Sequence, residues 1–182
     1  MLKQAANLIL FCDRHLNNQK SIIFMKRSAN ISYPGQICFP GGMFDADQDV
    51  NLVDTALREA REEIGLDSNL VDIWGSIPST YGDRAGTVSV TGIVGEIIDD
   101  SFDLNNSLVL NKHKVDCVFS VPVENLIQNN KLRVRMGGSD EKMKLPEYLV
   151  DEIENETIWG VTGIQLNNVL TNLFGAKHYL DV

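Results

Sequence analysis

The chain has 182 residues, of which 43% are hydrophobic and 23% are charged, and its formal net charge is −9. This length can enclose one hydrophobic core without disulfide bonds, and the composition excludes a disordered chain. The acidic balance argues against nucleic acid as the main partner, because binding its phosphates by charge alone needs a basic surface. An anionic small molecule is compatible with this charge if divalent cations bridge it to the protein.

The sequence indicates a single domain that spans residues 1–182. Cys12, Cys38 and Cys117 are far apart, which is typical of buried free thiols in a reducing compartment. No apolar run approaches the roughly 20 residues of a membrane-spanning helix. Because residues 179–182 do not form a peroxisomal Ser-Lys-Leu address, we expect a cytoplasmic location, with peroxisomes and mitochondria as alternatives.

Short apolar runs predict three strands within the first 40 residues, at residues 7–12, 21–26 and 36–39. Leu57, Ala60 and Ile64 then recur at helical spacing, and Gly65 is a typical helix stop. A helix is therefore predicted over Leu52–Ile64, with its acidic part at about residues 54–63.

The second half of the chain alternates predicted strands with two further helices. The strands cover residues 71–77, 88–98, 115–121 and 131–135, and the helices cover Val123–Gln128 and residues 157–174. Trp159 falls on the apolar face of the last helix, where we expect it to pack in the core. Strands in mixed order with two substantial helices predict an α+β fold, in which helices pack on a mixed sheet.

The predicted helix over Leu52–Ile64 carries a concentrated acidic patch. Residues three and four apart share one face of a helix, so Glu59 lies beside both Glu62 and Glu63. These carboxylates repel one another near the helix C-terminus, where the helix dipole also disfavours anions. A divalent cation such as Mg²⁺ or Mn²⁺ would neutralise them, because both ions prefer carboxylate oxygens. Taken alone, such a face is more often a solvated surface, so the interpretation depends on the surrounding residues.

Those surroundings resemble the Nudix box, G-x5-E-x7-R-E-U-x-E-E-x-G-U, in which U is apolar. Gly42 opens the motif, and its second half is similar to residues 58–66, which read Arg-Glu-Ala-Arg-Glu-Glu-Ile-Gly-Leu. The span from Gly42 to Arg58 is longer than in the general box and lacks its middle glutamate. The available substitutes are Asp45, Asp47 and Asp49.

The long aspartate-rich loop is similar to the coenzyme A diphosphatase branch of this family. The pattern of that branch is close to F-P-G-G-x-x-D-x-x-D, followed by T-A-L-R-E-A-x-E-E-x-G-L. The chain carries Phe-Pro-Gly-Gly at residues 39–42, Asp45, and the second segment at residues 55–66, with Asp49 as the equivalent of the second aspartate. Further similar segments lie at residues 26–28, 35–36, 86–95, 118–122 and 158–160.

The resemblance implies a Nudix-type α/β/α sandwich with a mixed β-sheet, and an enzyme that cleaves pyrophosphate bonds with Mg²⁺ or Mn²⁺. By their places in the motif, Glu59 and Glu63 would hold the principal metal ion. Glu62 would hold it or a second ion, with the Gly42 backbone close by. Arg58 would orient a glutamate of this catalytic group.

Four residues are candidates for binding a small nucleoside diphosphate substrate: Arg27, Gln36, Phe39 and Tyr81. Arginine matches the geometry of phosphate oxygens, although a surface salt bridge is an equal alternative for Arg27. The aromatic rings, with that of Tyr33, could stack on a nucleotide or line the pocket. Core packing is the favoured alternative for Phe39.

The expected reaction is hydrolysis of coenzyme A or acyl-coenzyme A to adenosine 3',5'-bisphosphate and (acyl-)phosphopantetheine. One alternative is a Nudix pyrophosphatase acting on another nucleoside diphosphate, such as ADP-ribose. Another is a catalytically weak ligand-binding protein of the same fold. It arises because Lys114 occupies a region where some relatives carry a glutamate base, and a charged lysine cannot accept a proton. The intact carboxylates of the helix argue against that alternative.

Overall fold

The first strand pairs with several others and so organises the larger sheet of the protein. The computed structural model describes residues 2–14, 19–83, 85–128, 130–136, 142–153 and 156–176. The strands are β1 (Lys3–Arg14), β2 (Gln19–Arg27), β3 (Ile37–Cys38), β4 (Gly41–Met43), β5 (Val71–Tyr81), β6 (Val88–Ile97), β7 (Val115–Pro122), β8 (Asn130–Met136), β9 (Lys142–Val150) and β10 (Glu156–Ile158). The helices are α1 (Leu52–Ile64), α2 (Val123–Gln128) and α3 (Gly160–Phe174), with a 3-10 turn at Ser68–Leu70.

Within the described residues, seven strands form a mixed sheet in the order β3-β2-β1-β6-β5, with β4 also paired to β1 and β7 to β2. Strands β1 and β6 are parallel, whereas the other pairs in this sheet are antiparallel. Strands β10, β9 and β8 form a second, antiparallel sheet.

Alternation along β1 divides the core into two layers, because successive side chains of a strand point to opposite faces. Leu8 and Leu10 pack in one cluster with Ala60 of α1, whereas Ile9 and Phe11 pack in the other, which also contains the buried residues of α3. The helices therefore cover opposite faces of the sheet. This arrangement confirms the expected α/β/α sandwich with a mixed sheet.

Helix α1 follows the prediction residue for residue because its signals are local. The Asn51 side chain accepts hydrogen bonds from the backbone N–H groups of Val53 and Asp54 and so caps the N-terminus. Gly65 ends the helix in the left-handed conformation, with φ of 69°. The prediction of α2 is likewise confirmed.

Several boundaries differ from the predictions. The strand expected at residues 36–39 spans only Ile37–Cys38, because the chain leaves β2 there and returns at Gly41 to pair with β1. Strand β9 was not predicted, since Pro146 within it obscures the alternation of apolar residues.

The last helix begins at Gly160 rather than at residue 157, because Thr157 and Ile158 pair with β9. The expectation that Trp159 packs in the core on the apolar face of this helix is wrong. Trp159 is only half-buried and lies just before the first helical turn. Residues 179–182, which bear on the expected location, lie outside the described residues. In the described part of the chain, no helix is long and apolar enough to cross a membrane.

We predict that Gly41→Ala lowers the free energy of unfolding by about 1–3 kcal/mol, measured by urea denaturation. A Cβ atom at Gly41 would lie 2.7 Å from the Cα atom of Asn7 and closer still to the carbonyl oxygen of Ala6. These backbone atoms belong to β1 and cannot move aside. The matched comparison is Gly42→Ala, which should lose less, because the atoms nearest to its Cβ belong to the end of the Glu59 side chain, which can move further than a backbone. Equal stability of Gly41→Ala and wild type would contradict the prediction.

Candidate active site

The side chain of Arg58 joins the aspartate-rich loop to the acidic face of α1. Its Nε and one Nη2 N–H donate to the two carboxylate oxygens of Asp49, at 2.7 and 3.0 Å. Its Nη1 group donates to Oε1 of Glu59 at 3.0 Å and to Oε1 of Glu62 at 3.1 Å. The remaining bond goes to the carbonyl oxygen of Met43 at 3.1 Å. These five bonds match the five N–H donors of a guanidinium, so Arg58 sets the orientation of two glutamates.

Asp49 is the loop aspartate that reaches the helix. Its side chain is 1% exposed, and it also accepts hydrogen bonds from the backbone N–H of Asp45 and the hydroxyl of Thr55. The bond from Arg58 is the main reason why its pKa falls from the ordinary 3.8 to about 2. Among the three candidate substitutes for the missing box glutamate, Asp49 is therefore the one whose carboxylate binds Arg58 of the helix.

Glu63 points away from Glu62, toward the sheet. It is 4% exposed, and its Oε2 atom accepts a hydrogen bond of 3.0 Å from the backbone N–H of Gly41. Burial raises the pKa of its carboxyl to about 7, and the charge of Glu59 adds to that effect. The Gly41 N–H and the cations Lys114 and Arg27 act in the opposite direction.

Gly42 provides the space for the Glu59 carboxylate. A Cβ atom at Gly42 would lie 2.9 Å from Oε2 of Glu59 and closer still to its Oε1 atom. The carboxylate therefore lies directly against the backbone of β4, an approach that any larger residue would block. This contact agrees with the expected close approach of the Gly42 backbone to the site.

Lys114 enters the site from the turn before β7. Its Nζ atom lies 3.6 Å from Oε2 of Glu59 and 3.4 Å from Oε2 of Glu62. Partial burial lowers the pKa of this ammonium, but the charges of Glu59, Glu63 and Glu62 outweigh burial and raise the pKa above its ordinary value. Lys114 is therefore a full cation at neutral pH.

The backbone at the end of α1 explains how Lys114 reaches this position. The N–H groups of Val109 and Asn111 donate to the carbonyl oxygens of Ile64 and Glu63, at 3.0 and 2.9 Å. These are carbonyls that a helix leaves without partners in its last turn. Because the turn before β7 caps α1 in this way, Lys114 is held beside the acidic face.

The donor chemistry of the acidic cluster fits a hard divalent ion, since Glu59, Glu62 and Glu63 offer carboxylate oxygens. Within the described ranges, however, no three histidine, cysteine, aspartate or glutamate side chains lie close enough together to hold a metal ion. Glu63 faces the sheet, and the position between Glu59 and Glu62 lies next to the Lys114 ammonium. Binding a metal ion would require these side chains to rotate.

The candidate substrate residues do not all lie in open positions. Arg27 donates from Nε to the carbonyl oxygen of Ser32 at 2.8 Å, and its charge acts on Glu63, so it lies near the acidic cluster. Gln36 accepts a hydrogen bond from the Arg27 N–H through its backbone carbonyl. Tyr81 is 67% exposed at the end of β5.

The expected substrate contact of Phe39 is wrong. Its side chain is 1% exposed and stacks on Phe24, with ring centroids 5.0 Å apart, inside the core layer that contains α3. Phe39 therefore packs in the core, the alternative that its apolar surroundings favoured.

Residues 2–133 match the model of the NUDIX domain. The chain belongs to the NUDIX family. It is a Nudix hydrolase, and Nudix hydrolases generally use divalent metal ions.

Two similar proteins and one solved structure illustrate the relationship. The chain is 32% identical over 171 residues to Nudix hydrolase 3 of Caenorhabditis elegans, covering 87% of this chain and 69% of that protein. It is 32% identical over 166 residues to the mitochondrial coenzyme A diphosphatase NUDT8 of Homo sapiens, covering 88% of this chain and 65% of that protein. The crystal structure of a MutT/nudix family protein from Enterococcus faecalis matches with a TM-score of 0.56 and 16% identity, covering 92% of this chain and 61% of that one. This last similarity supports the fold alone.

We predict that Asp49→Asn lowers the free energy of unfolding by about 2–3 kcal/mol at pH 7, because it removes a buried partner of Arg58. The Asp49 pKa is lower in the folded than in the unfolded state, so its contribution is complete above the unfolded value and declines as the pH falls toward about 2. The difference between variant and wild type in urea denaturation should therefore narrow between pH 5 and pH 3.

The matched control is Asp47→Asn, an exposed residue of the same loop, which should leave the stability unchanged at each pH. A difference for Asp49→Asn that stays constant over this pH range would show that the charge of Asp49 does not stabilise the fold.

Proposed function

We propose that this Nudix hydrolase, as a single domain over residues 1–182, cleaves the pyrophosphate linkage of coenzyme A or acyl-coenzyme A. The products would be adenosine 3',5'-bisphosphate and (acyl-)phosphopantetheine. The observation that carries the chemistry is the convergence of Arg58 with Glu59 and Glu62 on one side of α1. The substrate class is supported by the 32% identity to the human coenzyme A diphosphatase and by the matching loop at residues 39–49. The single domain is supported by the shared core of Ile9, Tyr148 and Leu166.

In this proposal, Glu59, Glu62 and Glu63 hold the divalent ion, Mg²⁺ or Mn²⁺. When bound, such an ion screens the anionic phosphate oxygens and makes a bound water more acidic. Arg58 keeps Glu59 and Glu62 oriented by its bonds to their Oε1 atoms. One of the three carboxylates takes the proton of the attacking water, whose oxygen bonds to phosphorus as the bridging phosphorus–oxygen bond breaks.

A long substrate has contacts available on both sides of the cluster. Arg27 lies near Glu63 and is the candidate for binding a substrate phosphate. Gln36 lies beside it, since its backbone carbonyl oxygen accepts a hydrogen bond from the Arg27 N–H. On the other side of the cluster, Tyr81 of β5 pairs with Ser89 of β6, and Ser89 pairs in turn with Gln4 of β1. The next residue of β1 pairs with β4. Three strand spacings separate Tyr81 from β4, about 14 Å. That distance suits an adenine or a pantetheine arm rather than the reacting phosphates.

A second candidate function is a catalytically weak ligand-binding protein of the same fold, which the position of the Lys114 ammonium between Glu59 and Glu62 favours. Incubation with coenzyme A, acyl-coenzyme A, ADP-ribose, NADH and diadenosine polyphosphates distinguishes the candidates, with Mg²⁺ or Mn²⁺ and chromatographic separation of the products. Preferential cleavage of coenzyme A or its acyl derivative supports the proposal. Preference for ADP-ribose or a dinucleotide overturns the substrate class, and absence of cleavage on the whole panel favours the binding protein.

We predict that Glu59→Gln and Glu62→Gln each lower kcat/KM by about 100-fold or more, because each removes a charged metal ligand and proton acceptor. The fold should persist, as measured by far-ultraviolet circular dichroism, since both side chains lie outside the core clusters. Glu124→Gln in α2 is the matched control and should retain full activity, because its partners are Gln19 and Gln128. Full activity of either α1 variant would contradict the metal assignment.

A further inference from the structure

The Lys114 ammonium lies where a cation shared by Glu59 and Glu62 would lie. Arg58 binds the Oε1 atoms of both glutamates, and Lys114 faces the Oε2 atoms of both, at 3.6 and 3.4 Å. Each carboxylate is thus placed between two cations of the protein itself. Such an arrangement relieves the repulsion between like charges three residues apart on a helix.

The backbone around Lys114 is anchored by hydrogen bonds, whereas its side chain is partly exposed to solvent. The N–H of Lys114 donates to the carbonyl oxygen of Asn111 at 2.9 Å, and its own carbonyl accepts from the N–H of Ser28 at 3.0 Å. The side chain is 32% exposed on a flexible four-carbon stem. The ammonium can therefore leave the glutamates without moving the turn that caps α1.

Charge counting shows why the ammonium matters for a metal ion. Asp49, Glu59 and Glu62 carry three formal negative charges, and their partners Arg58 and Lys114 carry two positive ones, which leaves −1. Without Lys114 the same group carries −2. A divalent ion and an ammonium repel each other at contact distance, so both cannot bind the Oε2 atoms of Glu59 and Glu62 at once.

We propose that Lys114 competes with the divalent ion for Glu59 and Glu62, so that a metal ion binds to them only after the ammonium has moved away. This inference rests on the metal role of Glu59 and Glu62 in the proposed function. As a consequence, Glu59 and Glu62 bind the metal ion less tightly than they would without Lys114. Lys114 is then a positioning residue for Glu59 and Glu62 and a competitor of the metal ion.

The test is the affinity for Mn²⁺ alone, measured by electron paramagnetic resonance in wild type and variants. Lys114→Met should bind Mn²⁺ about tenfold more tightly, because it removes the competing charge. Lys114→Arg keeps that charge and should remain within about twofold of wild type. Lys112→Met is the matched control, since it removes a positive charge from the same turn. The Nζ atom of Lys112 donates to the carbonyl oxygen of Asp116 and not to the glutamates. Equal or weaker binding by Lys114→Met overturns the inference.

A second readout shows whether the effect runs through the glutamates. Mn²⁺ should raise the Tm of Lys114→Met more than that of wild type, because tighter binding stabilises the folded state more strongly. In a Glu59→Gln, Glu62→Gln background, Lys114→Met should no longer change the affinity. A change that persists there overturns the inference. Tighter Mn²⁺ binding by Lys114→Met without cleavage of coenzyme A by any form would instead reject the proposed substrate and leave the competition established.

Discussion

The buried ion pair between Arg58 and Asp49 is the interaction on which the acidic site depends. A carboxylate that is almost fully buried must be paired, and Arg58 pairs with it through two parallel hydrogen bonds. The guanidinium then presents its remaining donors to Glu59, Glu62 and the carbonyl of Met43. The loop and the helix are therefore fixed relative to each other by the same group that orients the two glutamates.

The sheet supplies the other half of the site. After β3 the chain leaves its pairing with β2, and β4 pairs with β1, which brings Gly41 and Gly42 next to the glutamates of α1. Gly41 donates to Glu63, and Gly42 leaves space for Glu59. Two adjacent glycines thus receive two glutamates of one helix, and a Cβ atom at Gly42 would overlap the Glu59 carboxylate.

In the proposed metal site, the protein supplies a cation of its own. Lys114 lies against two of the proposed ligands and is held there by the turn that caps α1. Under the proposed function, stability and metal binding depend on the same carboxylates. A charge that stabilises these carboxylates weakens their affinity for a second cation, by the ordinary reciprocity of binding.

The sequence by itself determined the acidic helix and its family. Its limits follow from a cap at Asn51, a helical period and a stop at Gly65, all of which act within a few residues. The Nudix resemblance followed from the same segment and the preceding Gly41-Gly42, and it predicted the layered fold. The partial exposure of Trp159 and the strand β9 were beyond local patterns, because burial and sheet pairing depend on residues far away in the chain.

Only the tertiary structure decided which charges meet. Asp45, Asp47 and Asp49 were all candidates in the sequence for the missing box glutamate, yet only Asp49 among these three is buried against Arg58. Lys114 stood out in sequence as an unsuitable base, but its contact with Glu59 and Glu62 depends on how the turn before β7 caps α1. Electrostatic interactions act over a few ångströms in space, whatever the separation along the chain, so a local motif cannot reveal the cation that lies beside it.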